Sequence, residues 1–232
     1  MAHRFRLLVE GQDDWHVLSN LLNEHGVEAW RVRPSSREDI GDKIAVEAAG
    51  GEEDAKKGGV DRLLKDLAFQ LQQSDQERVG IVVDADENLA ARWQAVCTRI
   101  GRAGNVDLPG APDPAGTVVT LEQPDRTLVV GVWLMPDNTD DGMIEDFLRF
   151  LVPEGDALLP RAERCLEAIP ENERLFAQGD ADHTSKALMH TWLAWQDEPG
   201  RPLGQAVTHR YLDAQAPRAL AFVEWAKRLF GR

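Results

Sequence analysis

Two apolar runs of the sequence each end in acidic residues and are followed by a helical pattern. The first run, LLVEG, reaches Glu10, and the second, IVVDADEN, reaches Asp84 and Asp86. After each run, apolar side chains recur at helical spacing. A strand that leads into a helix forms one unit of an α/β fold, and successive units build a mainly parallel sheet. Continuously apolar strands are typical of sheets that helices cover on both faces.

Other segments extend this alternation. EAWRVR at residues 28–33 alternates as a strand, and residues 116–138 contain two strands around a Gln-Pro-Asp-Arg turn. From residue 141 onward the pattern is almost wholly helical. The sequence therefore predicts an α/β fold, with a mainly parallel sheet flanked by helices at residues 1–150. We expect residues 151–232 to form a helical C-terminal extension packed on that domain.

Composition limits the classes of function. The chain has 232 residues, of which 43% are hydrophobic and 28% charged, as in soluble globular proteins. No apolar run approaches the ~20 residues needed to cross a bilayer, so we expect a cytoplasmic protein with no membrane partner. Cys97 and Cys165 form no metal-binding spacing, which favours two reduced thiols. The formal charge of −14 argues against a nucleic-acid coat protein, but not against an enzyme that holds phosphates through a metal.

Two polar segments are expected at the surface. Arg31, Arg33 and Arg37 form one modest basic cluster. Such a cluster is more often a solvated strand edge than a contact for a nucleic-acid backbone. GGEEDAKKGG at residues 50–59 has the composition of a polar, glycine-rich loop.

Carboxylates from separate parts of the chain are expected at one edge of the sheet. Glu10, Asp84, Asp86 and Asp137 lie at or just beyond the carboxyl ends of predicted strands. In parallel sheets, ligands bind outside those ends. Carboxylates packed together repel and raise one another's pKa unless a cation neutralises them. Carboxylate and water ligands suit Mg²⁺ or Mn²⁺, and no His/Cys cluster indicates zinc.

Each acid also has a structural explanation when taken alone. Asp13 is a suitable N-cap for the first helix, and Asn88 for the helix after DADE. Pro-Asp-Asn at residues 136–138 is an ordinary turn sequence. The conjunction of acids at several strand ends is what favours a metal site.

The pair of motifs resembles the TOPRIM domain of topoisomerases, bacterial primases, OLD-family nucleases and small RNA-maturing nucleases. Glu10 and Gly11 match its strand-end glutamate motif, Asp84 and Asp86 match its DxD motif, and the resemblance covers roughly residues 4–150. It implies that the glutamate acts as a general acid/base or metal ligand and that the DxD pair holds Mg²⁺. MPDNTDDGMIEDFL and the tail HTSKALMHTWLAWQDEPGRPLGQAV look like a compact TOPRIM-like group of bacterial and archaeal proteins of undefined function.

The likeness to OLD-type nucleases implies two further acids. Those nucleases carry a carboxylate four residues after the glutamate, which Asp14 matches, and a later glutamate, for which Glu145 is the best candidate. The sequence shows neither an ATPase half nor the zinc-finger segments of primases. Its single tyrosine, Tyr211, lies in the tail, and no obvious topoisomerase tyrosine is present. These features favour a stand-alone nuclease-like module.

One C-terminal helix carries candidate cations. DHTSKALMHTWLAWQ places His183, Lys186 and His190 on one helical face, with Thr184 as the expected cap. The structural interpretation is an amphipathic helix with solvated polar residues. The functional interpretation is that Lys186 reaches the acidic edge and stabilises charge on a phosphate, with His183 as an auxiliary proton carrier.

The sequence thus predicts a nuclease that cleaves phosphodiester bonds of DNA or RNA with Mg²⁺ or Mn²⁺. Asp84 and Asp86 would hold one metal, while Glu10, alone or through a second metal with Asp14, would position or deprotonate the attacking water. One alternative is a phosphoacceptor receiver domain, modified at Asp84. Another is a TOPRIM-like module that binds without catalysis. The choice between DNA and RNA and the oligomeric state remain open.

Overall fold

The computed structural model describes residues 3–33, 36, 38–49, 59–73, 75–177 and 180–232. Its strands are β1 (Phe5–Val9), β2 (Ala29–Val32), β3 (Ile44–Ala48), β4 (Arg78–Asp84), β5 (Thr117–Glu122) and β6 (Thr127–Met135). They form a six-stranded sheet in the order β2-β3-β1-β4-β6-β5. Neighbouring strands are parallel except that β5 runs antiparallel to β6. Arg37 and the predicted loop before Gly59 lie outside the described residues.

Seven helices are found in the described part of the chain. They are α1 (Gln12–Glu24), α2 (Gly59–Leu71), α3 (Leu89–Gly101), α4 (Ile144–Arg149), α5 (Leu159–Glu167), α6 (Ala181–Leu193) and α7 (Pro217–Phe230), with short 3₁₀ turns at Glu171–Glu173 and Leu203–Gln205. One hydrophobic cluster joins a face of the sheet to α1, α4, α6 and α7. A second joins the opposite face to α2 and α3. The predicted α/β fold is therefore confirmed.

Strand β3 was not expected from the sequence, because Glu47 interrupts its apolar pattern. All five of its residues are buried. The Glu47 carboxylate accepts hydrogen bonds from the Arg6 guanidinium of β1 at 2.9 and 2.7 Å. Arg6 also donates to Gln70 of α2 at 2.7 Å. This pairing compensates the buried charge, so that a strand containing glutamate can lie inside the sheet.

The last helix, α7, packs directly on the centre of the sheet. Its Phe222 and Trp225 rings lie 5.4 and 5.6 Å, centroid to centroid, from the ring of Trp133 on β6. Leu229 lies against Gly131, where an added Cβ would come within 2.5 Å of the leucine side chain. Because the glycine lacks a side chain, α7 approaches the sheet closely. The C-terminal helix thus shares one hydrophobic cluster with β1 and β6.

Candidate active site

The carboxyl ends of β1 and β4 lie side by side in the middle of the sheet. Glu10 directly follows β1, and Asp84 is the last residue of β4. Since the two strands are parallel neighbours, both acids emerge at the same edge. The backbone N–H of Asp84 donates a hydrogen bond of 2.8 Å to Glu10 Oε1. The structure thus brings together the two strand-end acids that the sequence singled out.

A cavity of about 290 Å³ opens beside these two acids. It is lined by residues from β1, α1, α2, β4, α4 and α6 and the segments between them: Glu10, Gly11, Gln12, Asp13, Asp14, Gly59, Asp84, Ile144, Glu145 and Lys186. Four of the acids predicted from the sequence and the predicted lysine therefore face one space. Glu10 and Lys186, the first and last of these residues in the chain, are 176 positions apart.

The start of α1 explains the position of Asp14. Gly11, and not Asp13, occupies the N-cap position, so the prediction of Asp13 as the cap is wrong. Asp14 performs the capping instead, since its Oδ2 accepts a hydrogen bond of 3.1 Å from the Gly11 N–H. That bond fixes the carboxylate at the helix terminus, while Asp13 becomes a further acidic residue of the cavity lining.

Asp146 connects the two helices that supply Glu145 and Lys186. Its Oδ2 accepts from the Met143 N–H at 3.0 Å, which caps the start of α4. Its Oδ1 accepts from the Ser185 hydroxyl of α6 at 2.6 Å. One carboxylate thus fixes the residues adjacent to both Glu145 and Lys186.

Helix α6 is capped differently from the expectation. The N-cap is Asp180, whose Oδ1 accepts from the His183 N–H at 3.0 Å. Thr184 lies inside the helix and donates its hydroxyl hydrogen to the Asp180 carbonyl at 2.7 Å. The prediction of Thr184 as the cap is therefore wrong.

Three carboxylate oxygens around the cavity have no hydrogen-bond partner among the described residues. They are Asp14 Oδ1, Asp84 Oδ1 and Glu145 Oε2. Asp14 is only 4% exposed and Glu145 only 3%. A buried carboxylate oxygen without a partner is unfavourable while the group is charged. Protons, ordered water or a cation bound in the cavity would satisfy these oxygens.

The pKa values of the carboxyl groups in the cavity are raised by their burial. Burial, together with the charge of Asp14, raises the pKa of Glu10 to about 8. Burial and the charge of Glu145 raise the pKa of Asp14 to about 7. Burial also raises the pKa of Asp84 well above its usual range, and raises that of Glu145 in spite of the nearby Lys186 ammonium group. Without a cation, this cluster retains protons near neutral pH.

Asp86, the second acid of the DxD motif, does not line this cavity. It has a left-handed backbone conformation with φ of 52°. Its N–H and C=O form hydrogen bonds of 2.9 and 2.7 Å with Gly142. Its carboxylate forms an ion pair with Arg92. The structure therefore separates the motif into Asp84, which faces the cavity, and Asp86, which is neutralised by an arginine.

Asp137 and His183 also have other partners. Asp137 Oδ1 accepts from the N–H and the hydroxyl of Thr139 at 3.0 and 2.8 Å, and Oδ2 forms an ion pair of 2.9 Å with Arg218. His183 Nδ1 lies 2.7 Å from Asp180 Oδ2 at the exposed start of α6. Neither side chain lines the cavity.

Gly59 is a site residue that sequence reasoning missed. A Cβ at this position would lie 2.6 Å from the backbone oxygen of Glu10, so any side chain would displace that residue. The glycine lets the N-terminus of α2 approach the cavity. Its only sequence signal was its position at the end of a glycine-rich segment.

Any cation bound in the cavity would have to keep water or substrate as most of its ligands. In the part of the chain that the structure describes, no three His, Cys, Asp or Glu residues form a group able to hold a metal ion. Mg²⁺, however, is usually bound through one or two carboxylates, with water and substrate phosphate as its other ligands. One or two of the unpartnered oxygens of Asp14, Asp84 and Glu145 would be enough for this mode of binding.

The fold and the site together define an α/β protein with a buried acidic cavity at the carboxyl ends of its central strands. Within that class, the chain belongs to the family described as protein of unknown function (DUF3226), which matches residues 4–231. No curated protein and no solved structure matches the chain. None of the helices among the described residues is long and apolar enough to span a membrane.

Proposed function

We propose that the protein is a cytoplasmic TOPRIM-type nuclease that hydrolyses phosphodiester bonds of DNA or RNA with Mg²⁺ or Mn²⁺. The observation that carries this proposal is the set of unpartnered, buried carboxylate oxygens that faces one cavity together with Lys186. Carboxylates alone would repel a phosphate. Carboxylates that hold a cation, beside a lysine, favour one.

Each group has a role in this proposal. Asp84 and Asp14 would hold the cation through their unpartnered oxygens, with Glu145 beside them. When bound, the cation would neutralise charge on the phosphate and polarise its oxygens. Lys186 of α6 would contact a phosphate oxygen. The N-termini of α1 and α2, which border the cavity at Gln12 and Gly59, would favour the same anion.

Glu10 is the proposed general base. Water attacks phosphorus, the ester P–O bond breaks, and the proton lost by the water passes to Glu10. The leaving oxygen takes its proton from solvent. A base is most effective when its pKa lies near the working pH. The raised pKa of Glu10, about 8 in the metal-free protein, would fall when a cation binds nearby, which brings it toward this range.

Asp86 requires a rearrangement in this proposal. The resemblance to TOPRIM domains assigns it to the metal, but its carboxylate is paired with Arg92. We therefore assign the first contacts with the cation to Asp84, and Asp86 would join only if Arg92 moves away. Arg92 would then be free to contact the substrate.

A cleavage assay tests the proposal. End-labelled single- and double-stranded DNA and RNA are incubated with the protein and Mg²⁺, Mn²⁺ or EDTA. The proposal predicts cleavage of at least one substrate with a divalent cation, none with EDTA, and none by the Asp84→Asn variant. Lack of cleavage of all four substrates under every condition would contradict it.

Treatment with acetyl phosphate distinguishes the receiver alternative. A receiver takes a phosphoryl group on its strand-end aspartate, whereas an aspartate that holds metal does not attack phosphorus. We expect no gain in mass. A gain of one phosphoryl group that Asp84→Asn abolishes would favour the receiver instead.

A further inference from the structure

Arg31 carries a charge that no carboxylate of the described residues neutralises. Its Nη1 donates to His16 Nδ1 at 3.1 Å and to Asn20 Oδ1 at 3.1 Å, and lies 3.5 Å from Ser19 Oγ. Its guanidinium carbon also lies 5.7 Å from the centroid of the Trp15 ring. Arg4, Arg92 and Arg149, by contrast, form ion pairs with carboxylates. Arg31 is an exposed residue that keeps a positive charge unpaired by any described carboxylate, in a chain whose formal charge is −14.

The surroundings of Arg31 hold its guanidinium in one place. A guanidinium can only donate hydrogen bonds, so His16 Nδ1 accepts the bond from Arg31. Asn20 Nδ2 donates to the Gly204 carbonyl at 2.7 Å, which fixes the amide. The segment at Gly204 lies so close to α1 that an added Cβ would come within 2.1 Å of His16 Cβ. A pre-organised guanidinium loses less conformational freedom when it binds an anion.

Helix α1 connects this guanidinium to the acidic cavity. Gln12 lines the cavity, and His16 and Asn20 follow at intervals of four residues on the same helical face. With a rise of about 1.5 Å per residue, the partners of Arg31 lie about 6 and about 12 Å from Gln12 along the axis. A stacked nucleic-acid strand carries one phosphate per ~3.4 Å. The separation therefore matches about two to four phosphates.

We propose that Arg31 binds a backbone phosphate of the nucleic-acid strand, about two to four phosphates from the bond at the cavity. This inference rests on the proposed function and adds the direction in which the strand leaves the site, along α1 toward β2. The contact is to phosphate, so it is independent of base sequence. Its loss should weaken the binding of all sequences alike.

Binding measured apart from cleavage tests this contact. Fluorescence anisotropy of labelled single-stranded DNA and RNA is recorded with Mg²⁺ over a range of KCl concentrations. All proteins carry Glu10→Gln, so that cleavage is slow enough for binding to be measured. Arg31→Ala and Arg31→Gln are compared with the matched control Arg4→Ala. Arg4 is an exposed arginine at the amino end of β1 whose charge is already paired with Glu77 and Asp42.

We expect both Arg31 variants to weaken binding about three- to tenfold. The slope of log affinity against log salt should become shallower by about 0.7, which corresponds to one phosphate contact on a single strand. Arg31→Lys should keep the slope, and Arg4→Ala should match the parent. Arg31→Gln retains an N–H donor for His16, so it separates loss of charge from loss of local structure.

The outcomes separate the two proposals. If the parent protein binds oligonucleotides but the Arg31 variants have its affinity and slope, the contact is wrong and the proposed function stands. If the parent protein binds neither DNA nor RNA, both proposals are overturned. If Arg31→Ala alone weakens binding while Arg31→Gln does not, Arg31 acts through local structure and the phosphate contact is again wrong.

Discussion

Glu10 lies between groups with opposite effects on its proton. Burial and the neighbouring Asp14 carboxylate favour the protonated form, whereas the Asp84 N–H and the Arg92 charge favour the carboxylate. The balance holds the pKa of Glu10 at about 8 in the absence of metal. A small change in local charge, such as the arrival of a cation, therefore changes the protonation state of this residue.

Glu10→Gln tests the role of this residue as a base. The amide oxygen can still accept from the Asp84 N–H, so the fold and the binding of substrate should be retained. The rate of cleavage should fall by on the order of 10²–10⁴, the usual contribution of a positioned general base. The exposed Glu28→Gln serves as the matched control. If the Glu10 variant cleaves as fast as the control, Glu10 is not the base.

Proton binding by the cavity predicts how stability depends on pH. The pKa of Glu10 rises from an ordinary 4.5 to about 8 on folding, and that of Asp14 from 3.8 to about 7. The folded state therefore binds more protons than the unfolded state between these values. The metal-free protein should be most stable at the acidic end of this window and lose stability as the pH rises to about 8.

Thermal melting in EDTA at a series of pH values measures this dependence. Glu10→Gln removes one of the titrating groups, so its melting temperature should fall less steeply between about pH 5 and 8. Mg²⁺ should raise the melting temperature of the parent more at pH 8 than at pH 6, because fewer protons compete with it. A parent and variant with identical pH profiles would contradict the burial of a titrating Glu10.

At the scale of secondary-structure elements, the hydrogen bond between Ser185 and Asp146 connects α6 to α4. It is 2.6 Å long and lies one residue from both Lys186 and Glu145. The ammonium group of Lys186 thus depends on the contact between two helices for its position. Neither helix alone defines this side of the cavity.

Ser185→Ala should therefore lower the rate of cleavage by about tenfold, since a hydrogen bond to a charged group is worth about 1.5–3 kcal/mol and ~1.4 kcal/mol corresponds to tenfold. The neighbouring Thr184→Ala is the control and should retain the parent rate. If Ser185 acts only by positioning Lys186, Ser185→Ala should have no further effect in a Lys186→Ala background. Additive effects of the two changes would show that Ser185 acts independently.

The sequence was enough to predict most of the helices and strands, but not the side-chain contacts between them. β1 and β4 were recognisable because their side chains are continuously apolar, whereas β3 was missed because Glu47 depends on Arg6 of another strand. Asp13 was predicted as the N-cap of α1, but Gly11 takes that position. With Gly11 as the N-cap, Asp14 is the third residue of the helix, and its carboxylate is buried.

For the site, likewise, the sequence was enough to predict some of the residues but not their long-range contacts. Glu10 and Asp84 follow from strand ends, because parallel neighbours expose their ends at one edge. Asp86 and Asp137 also lie near strand ends, yet Arg92, six residues after Asp86 on α3, and Arg218 of the distant α7 form ion pairs with them. A long-range ion pair such as that of Asp137 with Arg218 leaves no signal in the spacing of residues.

At the scale of the whole molecule, the C-terminal helix belongs to the core on one side of the sheet. The α7 residues Phe222, Trp225 and Leu229 are fully buried against strands from the first part of the chain. Trp225 also donates a hydrogen bond of 3.2 Å to the carbonyl of Thr117 in β5. Without this helix, one face of the sheet would expose a large apolar surface.

A fragment of residues 1–150 should therefore not fold by itself. We expect it to lack a cooperative thermal transition and to bind hydrophobic dyes, since the surface that α7 covers would be open to water. Circular dichroism melting of the fragment and of the full chain makes the comparison. A cooperative transition of the fragment near that of the full chain would show that residues 151–232 are dispensable for folding.

Isothermal titration calorimetry with Mn²⁺ at pH 8 tests most directly whether the acidic cavity holds a divalent cation. The account predicts saturable binding of at least one Mn²⁺ by the parent protein and by Asp107→Asn, which changes an exposed aspartate elsewhere. Asp84→Asn should lose that binding, because it removes a charged ligand from the cavity. Absence of binding by the parent, or equal binding by Asp84→Asn, would contradict the account.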